Sequence, residues 1–184
     1  MRPVRVEVAG GRLAAIHHGR ICALYDSVFS AEPFVWSDSD SGEHDTLLRG
    51  LSQRDDFTIA VATAGTELVG FAYGHTLPVD HGWWKGLETP LASDFVSEWP
   101  GKTFALIDFA VVESWRGRGI GTTLLRDLLV SRHEERAVLS VQRTAEATRR
   151  IYLHLGWHVV GAKQFTRADG AASPEWVIMA RSLL

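Results

Sequence analysis

Apolar and polar residues alternate over residues 4–9 (VRVEVA), the period of a half-buried strand, and Gly10-Gly11 breaks the pattern. Over 12–29 the apolar positions recur at threes and fours. This puts Leu13, His17, Ile21, Leu24 and Val28 on one face and predicts an amphipathic helix. The acidic, polar stretch 37–43 reads as a loop leading into a short helix near 45–51. Two apolar runs, 57–63 and 67–77, flank Ala64-Gly65-Thr66 and predict a hairpin. Residues 104–112 are almost continuously apolar, as in a strand buried on both faces. A Gly-rich turn then opens a helix over 119–132, with Ile120, Leu124, Leu125, Leu128 and Leu129 on one face. A strand over 137–142, a helix over 145–155 and strands near 157–165 and 175–183 follow. In the 145–155 helix, Thr144 is expected as the cap, Gly156 just past the end, and Ala147, Ile151 and Leu155 as the buried row, with Tyr152 beside it. The alternation of strand and helix in this half requires a crossover and hence a parallel pair. No repeat or Pro/Ser-rich linker divides the chain, so one α/β domain over 1–184 is expected.

Charge and cysteine content narrow the setting. The 184 residues hold 19 Lys and Arg against 22 Asp and Glu, a net −3 without any basic block, which argues against a nucleic-acid or membrane partner. The single Cys22 cannot form an internal disulfide, and no Cys pair or Cys/His cluster shows metal spacing, so no metal and a reducing cytoplasm are expected. The N-terminal stretch lacks an apolar core of signal-peptide length, and no run of about 18 apolar residues occurs. His17 and His18 are adjacent on a helix and cannot share a ligand direction, and His154 and His158 are separated by Gly156. His75, near the end of the hairpin, fits a half-buried strand position better than an acceptor site.

Residues 78–101 differ from the rest: they hold Trp83, Trp84, Trp99, Glu88, Asp94 and Glu98 without periodicity, as in a functional loop or lid. Aromatic faces and carboxylates both favour a cation, which makes Trp83, Trp84 and Glu88 candidates for substrate binding. Anchoring a long loop to the sheet is the role these tryptophans suit better than direct substrate contact.

The segment Arg116-Gly117-Arg118-Gly119-Ile120-Gly121 lies between a buried strand and an amphipathic helix. Glycines there let successive N–H groups turn toward one point, and the helix start adds its unpaired N–H groups and the positive end of its dipole. Thr122 and Thr123 occupy the first turn, where a carboxylate would compete with an anionic ligand. A dinucleotide fingerprint would need Gly at position 122, and a P-loop ending at Gly101-Lys102-Thr103 would need Gly at position 96, which is Val96.

R-G-R-G-I-G after a strand ending in F-A-V-V resembles the R/Q-x-x-G-x-G/A signature of the GNAT superfamily of N-acetyltransferases, and AVLSVQRTAEATRRIYLHLGWHVVG is similar to its later strand, helix and strand. The resemblance implies a mixed, mostly antiparallel sheet of about six to seven strands with a central parallel pair and about four helices. It implies acetyl-CoA as cosubstrate, with Gly117, Arg118, Gly119, Ile120, Gly121 and Thr122 on the pyrophosphate and Arg116 supporting the loop. Phe109, Ala110 and Val111 would offer backbone groups to the pantetheine arm and thioester. Tyr152 matches the family's general acid. Many relatives carry Asn where Thr144 stands and Glu on the strand before the loop, where the only carboxylate here is Asp108. Burial in so apolar a strand would raise the pKa of Asp108 toward a useful basic range. Strand alternation, however, puts its direction in question, leaving a structural Asp or a water relay to Glu88, Asp94 or Glu98 as alternatives. The activity implied is direct acetyl transfer to a primary amine of a small molecule or peptide, without Cys22 as nucleophile. The alternative is a non-catalytic acyl-CoA sensor that has lost its base. A homodimer is compatible with the resemblance.

Overall fold

The computed structural model describes residues 3–164 and 174–184. Its strands are β1 (Val4–Ala9), β2 (Thr58–Ala64), β3 (Glu67–Thr76), β4 (Thr103–Val111), β5 (Arg136–Gln142), β6 (His158–Gln164) and β7 (Glu175–Ser182). The helices are α1 (Gly11–Phe29), α2 (Asp40–Leu51), the short α3 (Ser93–Val96), α4 (Ile120–Val130) and α5 (Glu146–His154). The strands form one sheet of order β1-β2-β3-β4-β5-β7-β6, in which only β4 and β5 run parallel. This is the mixed sheet expected, with five helices among the described residues instead of about four. Among the described residues, no helix is long and apolar enough to cross a membrane.

Each face of the sheet has its own cover. Leu124, Leu125 and Leu128 of α4 and Tyr152 of α5 pack into a core with Phe104, Leu106, Leu139 and Met179. On the opposite face Ile21, Leu24 and Leu48 of α1 and α2 bury Ile59, Val61, Phe71, Tyr73 and Ala110. Residues 78–101 continue that second cover, with Trp83, Trp84 and Phe95 against Leu77, Ala105, Val138 and Ala180.

Two irregularities of β4 prepare the site. First, its ladder to β5 covers only Thr103–Ala105 opposite Arg136–Val138, so from Leu106 onward that edge of β4 has no strand beside it. Backbone groups left unpaired inside a sheet need a partner. Second, Tyr73 pairs with Asp108 but Gly74 with Leu106, so Ile107 is an extra residue, a β-bulge. Leu106 faces the α4–α5 core and Ala110 the α1–α2 core. Both positions are even, and the bulge resolves the conflict by carrying Asp108 to the α1–α2 side next to Tyr73. A side chain at Gly74 would put its Cβ 2.0 Å from the Ala105 carbonyl oxygen. Gly74→Ala is therefore expected to cost about 3 kcal/mol, read as a lower urea midpoint with an unchanged m-value.

Three local expectations are corrected. The acidic stretch is already helical from Asp40, whose Oδ2 accepts the Ser37 N–H at 2.7 Å, and Asp40 and Glu43 sit in the first turn, where negative charge is favoured. Ala145, not Thr144, occupies the N-cap of α5, and no side chain caps that end. The buried face of α5 is rotated from the one read from its aliphatic residues: Ile151 is 53% exposed and Ala147 exposed, while Tyr152 is 6% exposed. The tyrosine ring packs on Phe109 and Trp157, at centroid distances of 6.2 and 5.8 Å, and this large aromatic contact sets the helix rotation. Gly156 does end α5, at φ 84°. The expected strand end at Phe165 lies outside the described residues.

Candidate active site

The Gly-rich loop joins the free edge of β4 to the start of α4. Gly117 and Gly119 have φ of 73° and 76°, left-handed conformations that suit glycine, and a Cβ added at either would meet nothing within 4 Å. The loop therefore presents bare backbone to open space. Gly119 is the N-cap of α4, which has no side-chain cap and no acidic residue in its first turn, so its leading N–H groups remain free to bind an anion. Arg116 donates from Nε to the Val111 carbonyl at 3.0 Å, tying the loop to the end of β4. Arg118 folds back to the Ser114 carbonyl, its guanidinium 4.9 Å from the Trp115 ring centroid. At Gly121 a Cβ would sit 2.8 Å from Phe109 Cζ, so the absent side chain lets α4 lie close on β4.

On the other side of β4, Asp108 stands in a buried polar group. Tyr73 donates its hydroxyl to Asp108 Oδ2, and His44 Nε2 lies 3.8 Å from the same oxygen. His44 stacks on Tyr25, with ring centroids 3.6 Å apart and planes within 5°. Burial pushes the Asp108 carboxyl up to about 6, with the Tyr73 hydrogen bond opposing the rise. The Asp108 side chain is still 16% exposed, so it can be reached. Burial also drives His44 down to about 4, which leaves it neutral near pH 7. Neither Tyr73 nor His44 stood out in the sequence. Tyr73 meets Asp108 only in the bulged register, and His44 arrives from a helix more than sixty residues away in the chain.

Tyr152 packs against Phe109 of β4 on the face covered by α4 and α5. Burial first, and the Asp108 charge second, hold its hydroxyl well above the ordinary tyrosine range, so it keeps its proton. The Asp108 charge thus reaches Tyr152 through β4 and helps to keep the phenol protonated.

The residues of 78–101 are held in place. Trp84 donates to Glu98 at 3.1 Å, and the buried Glu98 pairs with Arg136 and accepts from Thr103 at 3.0 and 2.9 Å. Lys163 donates to the Trp83 carbonyl, and Lys102 to those of Asp94, Phe95 and Ser97. Trp83 and Trp84 are thus loop anchors in contact with the sheet, while Glu88 is exposed and bonds through its N–H to Ala162. Among the described residues, no hydrogen bond or ion pair joins Glu88, Asp94 or Glu98 to Asp108, whose side-chain partners are Tyr73 and His44. His75 bonds to the neighbouring Thr76 carbonyl, and Cys22, its thiol pushed up to about 11 by burial and then by Asp45, is no nucleophile at neutral pH.

Comparison with known proteins gives the family and the fold. The Acetyltransferase (GNAT) family matches residues 21–157. Among curated proteins no sequence matches significantly. NAA60 from Arabidopsis thaliana in complex with acetyl-CoA superposes with a TM-score of 0.69 at 14% identity, covering 98% of both chains. An acetyltransferase of the GNAT family from Streptococcus pneumoniae gives 0.62 at 15% identity, over 98% of this chain and 99% of that one. The ribosomal-protein-S18-alanine N-acetyltransferase from Escherichia coli gives 0.61 at 16%, over 98% and 94%. These structures share the fold, and the sequence match spans well over half the chain, with acetyl-CoA the expected cosubstrate. A split β4–β5 pair, a glycine loop at an uncapped helix start and a matching family signature converge: this chain belongs to the GNAT family of acetyltransferases.

Proposed function

We propose that the protein transfers an acetyl group directly to a primary amine, with Asp108 as general base and Tyr152 as general acid. The observation that carries this reading is the bulge at Ile107, which sets a reachable carboxylate of raised proton affinity beside the unpaired edge of β4. It speaks against a sensor that has lost its base. The site residues fit acetyl-CoA: Gly117 to Thr122 would hold the pyrophosphate on backbone N–H groups, with Arg116 bracing the loop, and Phe109, Ala110 and Val111 would bond the pantetheine arm through the free β4 edge. Bound acetyl-CoA supplies an activated thioester. Asp108 accepts the proton that the amine nitrogen loses, and Tyr73 keeps the carboxylate aimed through its hydroxyl. Tyr152 returns a proton to the departing sulfur.

The acceptor side favours a cation. Residues 21–48 contain six Asp and Glu and no Lys or Arg. Burial first, and then the charges of Asp108, Asp40, Asp26 and Glu43, raise the proton affinity of Tyr25, so four carboxylates act on one aromatic ring. This supports a small-molecule or peptide amine as acceptor, with Trp83, Trp84 and the exposed Glu88 bordering the same sheet face. Release of CoA thiol across a panel of amines tests the activity; no release with any amine would remove the reading. Tyr152→Phe is expected to lower turnover by on the order of 100-fold while leaving acetyl-CoA affinity within about twofold, as read by single-turnover kinetics and calorimetry. Equal turnover would remove the acid role.

A further inference from the structure

We infer that His18, Cys22 and Asp45 form a binding site for a borderline transition-metal ion such as Zn²⁺ on the outer seam of α1 and α2. His18 and Cys22 are one helical turn apart on α1 and so share a face, and α2 brings Asp45 against them. His18 Nε2 lies 3.7 Å from Cys22 Sγ and 2.6 Å from Asp45 Oδ1, and Cys22 Sγ lies 3.8 Å from the same oxygen. A tetrahedral zinc ion at about 2.0–2.3 Å from its ligands sets them about 3.3–3.7 Å apart. The two sulfur distances, 3.7 and 3.8 Å, lie at and just beyond the upper end of that range, while the His18–Asp45 pair must open. One nitrogen, one sulfur and one carboxylate oxygen make a donor set suited to zinc, with a fourth position left for water. The site can be reached from solvent: the His18 and Asp45 side chains are 18% and 39% exposed.

The local charges say what binding must displace. Arg49 grips Asp45 through Nε and Nη2 at 2.9 and 3.1 Å and, with His18, holds that carboxyl well below the usual range. Arg49 is 65% exposed, so it can swing into water when the ion takes its place. The Cys22 proton must also leave: the S–H bond breaks, the S–Zn bond forms and the proton goes to solvent. His18 carries its own ring proton on Nδ1 when Nε2 binds. The sequence hid the site because His18 stands next to His17, while its metal-binding partner is Cys22, four residues on.

The test is a Co²⁺ titration of the full chain under reducing conditions, followed by Zn²⁺ competition. A thiolate-to-cobalt band in the near ultraviolet, bleached by zinc, and a zinc-dependent rise in Tm are expected. Cys22→Ser, close in shape to the native residue, should abolish the band and weaken zinc binding by on the order of 100-fold, and about one proton should be released per ion in the native chain. Arg49→Gln should tighten binding, because it removes the competitor for Asp45. Absence of the near-ultraviolet band, or zinc affinity unchanged in Cys22→Ser, would overturn the assignment. None of these readouts depends on acetyl transfer.

Discussion

Asp108→Asn is expected to lower kcat/KM for the amine by on the order of 10²–10⁴-fold, with acetyl-CoA binding unchanged. The size follows from the role: asparagine keeps the shape and can still accept the Tyr73 hydroxyl, but it cannot take a proton from the amine. The pH profile makes the test specific. Burial places the Asp108 carboxyl at about 6, so it is ionised and basic above that pH and protonated below it. Protonation of the amine itself lowers the rate of both enzymes with falling pH; below 6 the wild-type rate should fall by about a further tenfold per pH unit, and that additional limb should be missing from the variant. Thiol-release kinetics across pH 5–8 and calorimetry with acetyl-CoA provide the two readouts. A variant with wild-type turnover, or an additional limb below pH 6 that survives the substitution, would assign the base elsewhere.

Gly119→Glu is expected to abolish acetyl-CoA binding. Two effects act together at this position. A non-glycine residue is strained at φ 76°, and the new carboxylate would lie at the positive end of α4, where the pyrophosphate charge is to be received. Gly119→Ala separates them, since it brings the strain without the charge; its affinity should fall far less than that of the glutamate variant. Calorimetry with acetyl-CoA reads both, and a thermal melt shows whether the fold survives. Unchanged affinity in Gly119→Glu would remove the loop from the cosubstrate site.

Much of the architecture was legible because the relevant signals are local. Period-two and period-three-to-four patterns placed β1, α1, the β2–β3 hairpin and α4 within a residue or two, and glycine punctuation located the loop before α4. The misreadings have physical causes. Asp and Glu favour both loops and helix first turns, so the stretch before Asp45 was ambiguous by chemistry. In α5 one tyrosine outweighed the aliphatic row, because its ring finds Phe109 and Trp157 across the core. The surroundings of Asp108 were hidden for a different reason. An inserted residue in β4 decides which face Asp108 takes, and the residues that meet it, Tyr73 and His44, come from elements far apart in sequence. The metal-ligand candidates were hidden in the same way, since Asp45 joins His18 and Cys22 only when α2 docks on α1.

The fastening of residues 78–101 bears on how acceptor range can be altered. Its clamps, Lys102, Arg136 and Lys163, all lie outside the segment, on β5, on β6 and just before β4. The segment is therefore not a portable cassette. Grafted alone onto a relative, it would bring its tryptophans and carbonyls without the cations that hold them, and Glu98 would enter the graft with no guanidinium to neutralise it. A successful transplant must carry the three cations with it, whereas exposed rim positions such as Glu88 can be varied one at a time while the anchored wall stays in place.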